Sequence, residues 1–296
     1  MFKVIKHIAL ILVSISLLVF SCKKDKETDT LAADTQVTQD QNQADTEVED
    51  VASMQDDIMN QFGNQLMRVA TTDTVAMYDS CATVTITRRG SNATGNILVD
   101  FGTTGCLGRD GRMRKGKIRF TYTDRMRIAG SVVTTSFENY SVKPRLANDY
   151  VSVDNSSTQV TTNVGNEITS ASPIGQFRRE INMKINFADG ATFTWDGTKN
   201  VEWNLGVLGN RWDNIYTLKS GSGLSGNGRN GTPYTMVVDQ DVVRKAECAL
   251  LGIYKPVSGQ ITIQHSNKTK TINYGNGTCD RTVTVTVNGA TRTFRW

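Results

Sequence analysis

The sequence contains very little histidine, little proline and no long hydrophobic segment. Its 296 residues include two histidines and four prolines, and only 7% of the residues are aromatic. A metal centre built from several histidines is excluded, because only His265 lies beyond the first twenty-two residues. A Ser-His-Asp or Cys-His catalytic group would have to use that one residue. We therefore expect His265 to be an exposed turn residue, and we predict no catalytic residue, no metal and no cofactor.

The one apolar run lies near the start of the chain, from Ile8 to Phe20. It is too short for a transmembrane helix, which needs about 20 apolar residues, and it fits the core of a secretion signal. The run ends in "VFSC", which resembles a bacterial lipobox. The resemblance implies that residues 1–21 are a lipoprotein signal peptide and that Cys22 carries acyl chains such as palmitate. Lys23 after the cysteine favours the outer membrane, and the alternative is an ordinary signal peptide with an incidental cysteine.

The chain after this segment is divided into an acidic part and a basic part. Residues 23–60 contain three basic and eleven acidic residues, a net charge of −8, whereas residues 61–296 have a net charge of +10. Residues 22–47 have almost no large apolar side chain, and we predict a flexible acidic tether there. Apolar residues then recur at spacings of three and four, which predicts an amphipathic helix over 48–70. These residues are Val51, Met54, Ile58, Phe62, Leu66 and Val69. The helix either packs on the following domain or binds a partner.

From about residue 71 the hydrophobic pattern has a period of two. "TVTVTVNGATRTF" alternates valine with threonine and then presents Asn288-Gly289, a pair typical of a two-residue hairpin turn. "NFADGATFTW" repeats this arrangement with Asp189-Gly190. We therefore predict an all-β domain over 71–296, a large antiparallel β-sheet or sandwich of long hairpins, as one unit or two.

Four further cysteines lie in two similar stretches, Cys81–Cys106 and Cys248–Cys279. Each stretch leads from its second cysteine into a predicted strand, which indicates a weak internal repeat (81–127 and 248–296). An even number of cysteines in an exported chain favours disulfides, and three pairings are possible. The repeat favours Cys81 with Cys106 and Cys248 with Cys279. A zinc site is the alternative, although the short spacing that zinc ligands usually show is absent.

Several stretches together resemble an uncharacterised group of outer-membrane lipoproteins of the phylum Bacteroidota. They are the lipobox with "SCKKD", then "VDFGTTGCLGRDGRMRKGKI", then "VRKAEC" and "INYGNGTCDRTVTVTVNG". The resemblance implies a lipid-anchored outer-membrane protein, at the cell surface or on the periplasmic face. It supplies no activity and no catalytic residue.

The most distinctive stretch of the β domain is "RDGRMRKGKIRFTYTDRMR". At a period of two, one strand face carries Lys115, Lys117, Arg119, Arg125 and Arg127, and the other carries apolar residues. Such a basic stripe attracts anions, so we predict non-catalytic binding of an anionic glycan or another envelope component. The alternative is a solvated strand face. Nucleic acid is not expected as a partner, because no nucleic-acid-binding module is recognisable.

The enzymatic alternative is a carboxylate-dependent glycan hydrolase. "FTWDGTKNVEWNLG" offers Asp196 and Glu202 as a catalytic pair, with Trp195 and Trp203 as sugar platforms. Asp196-Gly197 is also typical of a turn between two strands, and the tryptophans are then cross-strand packing residues. We favour the turn.

Overall fold

The computed structural model describes residues 50–52, 54, 55, 58, 71–74, 81–88, 94–108, 111–143, 149–207, 210–229, 231–251, 253 and 255–295. The predicted signal peptide, the tether and Cys22 lie outside these residues.

Within the described residues, seventeen strands form a single antiparallel sheet. They are β1 (Thr71–Thr74), β2 (Thr83–Arg88), β3 (Gly95–Asp100), β4 (Cys106–Leu107), β5 (Met113–Tyr122), β6 (Val132–Lys143), β7 (Val151–Val153), β8 (Thr158–Asn163), β9 (Ile174–Asn186), β10 (Thr192–Asn204), β11 (Ile215–Leu218), β12 (Gly223–Asn227), β13 (Pro233–Lys245), β14 (Ser258–His265), β15 (Lys268–Asn276), β16 (Thr282–Val287) and β17 (Ala290–Arg295).

The sheet is an up-and-down meander in which most strands pair with the next long strand along the chain. β9 and β10 pair over their full thirteen residues, and β5 pairs with β6 across most of its length. The predicted turns at Asp189-Gly190 and Asn288-Gly289 are confirmed. Gly190, Asn288 and Gly289 have the positive φ angles (84°, 47° and 86°) that tight hairpins require.

One face of the sheet is buried along most of the meander, because apolar side chains alternate with polar ones. In β9, Phe177, Arg179, Ile181, Met183 and Ile185 are buried, while the residues that alternate with them are more exposed. Buried residues from β2 to β16 join one hydrophobic cluster. One face of a flat sheet would remain in contact with water, so the burial of this face shows that the sheet folds over itself as a sandwich. The predicted all-β class is confirmed.

A short helical segment packs into this inner face. Residues 50–52, 54, 55 and 58 are helical, and Val51, Met54 and Ile58 are buried in the main cluster. Gln55 is also buried, and its Oε1 accepts a hydrogen bond from Thr135 Oγ1 on β6 (3.1 Å). The predicted helix is thus found at these residues, and its predicted continuation over 59–70 lies outside the described residues.

The alternating strand directions define two ends of the sheet. We call the end at which β5 finishes, at Tyr122, the upper end, and the end at which β5 begins, at Met113, the lower end. The helical segment begins at the lower end, since Asp50 forms an ion pair with Arg114 of β5 (2.7 Å).

Two predictions about local structure are wrong. Asp196 and Gly197 do not form a turn, because β10 runs without interruption through both residues and pairs with β9 and β12 on either side. His265 is not an exposed turn residue. It is the last residue of β14 and is 7% exposed, because its position in the alternation places it on the inner face with Ile261 and Ile263.

Candidate functional site on the outer face of β5

The cations of β5 lie on the outer face of the sheet. Arg114, Ile118, Phe120 and Tyr122 are buried, so the residues between them point the other way. The outward-facing cations are Lys115, Lys117 and Arg119.

Lys115 and Lys117 share this face because they are two residues apart on β5, and a β-bulge of the neighbouring strand β6 lies between them. The register changes between them, because β6 supplies one more residue than β5 at this point. Gly116 (φ 76°) sits against Asn139 (φ 50°), and a Cβ at Gly116 would lie 2.1 Å from the Asn139 carbonyl oxygen. Only glycine fits here, so the glycine between the two lysines has a structural cause.

The three cations differ in their partners. Lys117 Nζ lies 3.3 Å from Glu138 and 3.8 Å from Asp100, so neighbouring strands neutralise it. Lys115 Nζ lies 4.3 Å above the ring of Tyr150, a cation–π contact that leaves its charge in place. Arg119 is exposed opposite Leu98 and Ser136, and within the described part of the chain it forms no ion pair. The net positive charge of this face therefore rests on Lys115 and Arg119.

Arg125 and Arg127 do not belong to the strand face on which the sequence pattern placed them. β5 ends at Tyr122, and both arginines lie in the connection to β6 at the upper end. The carbonyl of Arg125 accepts a hydrogen bond from the Ile128 amide, and that of Arg127 accepts one from the Ile168 amide (both 2.9 Å). The prediction for these two arginines is wrong because the alternation of basic residues continues past Tyr122, where the strand has already ended.

The two candidate carboxylates do not converge. Asp196 and Glu202 are six residues apart on the same strand, β10, so about 20 Å separates them. A glycosidase pair lies roughly 5 to 9.5 Å apart. Asn182 donates a hydrogen bond to Asp196 across the outer face (2.6 Å).

The two tryptophans lie on the opposite side of the sheet from these carboxylates. Trp195 is 1% exposed and meets Phe193 edge to face, and Trp203 stacks on Tyr216. Their interpretation as packing residues is confirmed. This strand therefore does not combine aromatic platforms and paired acids in one cleft.

Both predicted disulfides are present, Cys81–Cys106 and Cys248–Cys279. Each closes around one hairpin, β2–β3 in the first case and β14–β15 in the second, with a strand after the second cysteine. Among the described residues, the one group of histidine, cysteine or acidic side chains close enough to hold a metal is Glu247 with Cys248 and Cys279. Both sulfurs are used in the disulfide, so neither can act as a thiolate ligand.

The inner face also carries a row of polar side chains that the sequence patterns above do not predict. Thr161, Arg179 and Lys199 lie directly opposite one another on β8, β9 and β10, and all three are buried. Gln159 is also buried there, and among the described residues neither the oxygen nor the nitrogen of its amide group has a hydrogen-bond partner. The signal was available, because Arg179 lies between Phe177 and Ile181 in the period-two pattern that marks the buried face.

Three aspartates with lowered pKa values form ion pairs at the ends of the long hairpins. The Ser156 amide and hydroxyl, followed by Lys184, lower the pKa of Asp154 to about 2. The Ala191 amide and Arg229 lower the pKa of Asp189, which lies in the β9–β10 turn. Burial raises the pKa of Asp241, but the Lys219 ammonium and the Ser220 amide outweigh it, so the pKa is lowered overall. These carboxylates are ionised and have structural partners, so they are poor candidates for general acids.

Within the described residues, no helix is long and apolar enough to span a membrane. The chain matches no family model, no curated protein and no solved structure.

Proposed function

We propose that this protein is a lipid-anchored component of the bacterial outer membrane with a non-catalytic binding role. The support comes from the lipobox-like "VFSC" around Cys22 and from the charge division between the acidic segment and the basic domain. The position of Asp50 at the lower end of the sheet agrees with a tether that enters the domain there.

The proposed ligand is an anionic glycan that contacts the outer face of β5. One observation carries this proposal: Lys115 and Arg119 lie two alternations apart on the outer face of one strand, and neither is paired with a described carboxylate. Cations fixed at a strand spacing of about 13 Å suit a linear polymer with regularly repeated negative charges. Another anionic envelope component would meet the same two residues.

A non-catalytic role is preferred over glycan hydrolysis because Asp196 and Glu202 are too far apart to act on one glycosidic bond. The proposal predicts that glycan is bound and released unchanged.

The test is a binding titration of the full chain with two probes, a sulfated glycosaminoglycan and a polyuronate. The variant K115Q/R119Q removes two charges, and we expect binding to weaken at least tenfold with an unchanged melting temperature. Lys117 is left intact, because its loss would expose Asp100 and Glu138 and change the sign of the local charge.

The matched control is R292Q/R295Q, which removes the same charge from two exposed arginines of β17. Binding that falls equally in both variants would indicate a general effect of net charge and would refute a site on β5. Cleavage of either probe by the wild-type protein would refute the non-catalytic role.

A further inference from the structure

Apolar side chains lie beside the cations of β5 at the lower end of the outer face. We call Leu107, Met113 and Tyr150 the apolar strip. Leu107 is 54% exposed and lies directly opposite Met113, because β4 pairs with the start of β5. Their strand neighbours Cys106 and Arg114 are buried, so both side chains point outward.

Tyr150 faces the same side of the sheet. It directly precedes β7, in which Val151 is buried opposite Val142 of β6. The alternation of side chains along an extended chain therefore directs Tyr150 to the outer face, where it contacts Lys115. Its side chain is only half-buried, so part of the aromatic surface is open to solvent.

Measured contacts join the strip to the basic face of β5. Lys115 Nζ lies 4.3 Å from the centre of the Tyr150 ring. Tyr150 and Met113 both pack over Gly105, where a Cβ would lie 3.2 Å from the Tyr150 hydroxyl oxygen and 3.1 Å from the Met113 sulfur. Leu107 continues the strip through its pairing with Met113. A ligand group bound at Lys115 therefore lies next to an aromatic ring and two aliphatic side chains.

The charges beside the strip are net positive. Lys143 lies directly opposite Met113, and among the described residues it forms no ion pair. Lys115 keeps its charge in contact with Tyr150. The neighbouring acid is the exposed Asp149, so two cations outnumber one carboxylate. The surface thus combines positive charge with apolar contact area, which suits a ligand that carries both a negative charge and C–H groups.

We propose that Tyr150 selects sugars among the anionic polymers that β5 attracts. A pyranose ring packs on Tyr150 while its carboxylate binds Lys115. A pyranose presents a row of C–H groups that an aromatic ring can cover, and each uronic acid unit carries this row and a charge together. An anionic polymer without sugar rings gains no such contact. The ligand class is therefore a uronic acid polymer, and this inference rests on the proposed function.

The experiment measures the affinity of the full chain for polygalacturonate and for polyglutamate of matched length. Both polymers carry one carboxylate per unit, but only polygalacturonate presents sugar rings. The variant Y150A removes the aromatic ring, and Y150F removes only the hydroxyl group. The matched control is F294A, which removes a ring that is 49% exposed on β17.

We expect Y150A to weaken polygalacturonate binding about tenfold and polyglutamate binding less than about twofold, because only the sugar loses an aromatic contact. Y150F and F294A should bind both polymers as the wild type does. K115Q/R119Q should weaken the binding of both polymers, because it removes the charges that attract them. The ratio of the two affinities within one variant does not depend on the fraction of protein that is folded.

Two results would overturn the inference and leave the basic face of β5 in place. Equal weakening of both polymers by Y150A would show that Tyr150 acts only by positioning Lys115. Unchanged binding of both polymers by Y150A, with both weakened by K115Q/R119Q, would show that the sugar does not contact the ring. If K115Q/R119Q leaves both affinities unchanged, the proposed site on β5 is refuted, and the role of Tyr150 is refuted with it.

Discussion

The ion pair between Asp50 and Arg114 allows a direct test of what stabilises the packing of the helical segment on the sheet. Arg114 is 1% exposed, and its Nη2 lies 2.7 Å from Asp50 Oδ2 across 64 residues of sequence. Arg112 lies 3.6 Å from the same carboxylate oxygen. A buried guanidinium is costly unless a carboxylate compensates its charge, so Asp50 should matter far more than a surface acid.

The perturbation is D50N, which keeps the size of the side chain and removes its charge. Loss of one partner from a buried pair costs about 3 to 5 kcal/mol, and we expect about 3 kcal/mol because the Asp50 side chain is 15% exposed. The control is E138Q, since Glu138 is 54% exposed and pairs with Lys117 on the surface. We expect E138Q to cost less than about 1 kcal/mol.

The assay is urea unfolding, in which the dependence of the unfolding free energy on urea concentration should be the same for all variants. R114M and the double variant D50N/R114M complete a thermodynamic cycle. The double variant should be more stable than the sum of the single effects implies, because methionine no longer needs a counter-charge. A loss below about 1 kcal/mol for D50N, equal to that of E138Q, would refute the reasoning and show that the helical segment docks without a contribution from this ion pair.

Two further predictions concern the disulfides and pH. The double variants C81A/C106A and C248A/C279A should each lose about 3 kcal/mol and should differ by only about 0.2 kcal/mol from chain entropy, because their loops span 25 and 31 residues. Calorimetry of both variants tests this, and a large difference would mean that one disulfide acts mainly through native packing. The pKa of Asp154 is about 2 against 3.8 for the free side chain, so its stabilising effect is complete above about pH 4 and is lost as pH falls toward 2. D154N should therefore cost about 1 kcal/mol at neutral pH, allowing for solvent screening, and almost nothing below about pH 2, and a constant difference across pH would contradict this.

The sequence was most informative where the local pattern and the tertiary environment agree. In β16 the alternation of valine with threonine correctly predicted a strand whose Val283 is buried beside the exposed Thr282. Asn288-Gly289 forms the turn because both residues adopt positive φ. The two cysteine pairs followed from a repeat in which each disulfide surrounds one hairpin. Lys115, Lys117 and Arg119 were placed on one face by their spacing alone.

The tertiary structure decided what these local features do. The period-two pattern does not show which acidic residues of neighbouring strands approach Lys117, because the register between strands depends on distant residues. For the same reason it does not show that β5 ends before Arg125. Asp196-Gly197 has the composition of a turn, yet β9 and β12 hold it inside a continuous strand. Exposed apolar residues such as Val164, Val207 and Leu250 are spread over some ninety residues of sequence and reach the same end of the sheet only because the meander brings three connections there. Composition and alternation are local properties, so the sequence determined the all-β class and its faces, while long-range pairing alone determined which side chains meet.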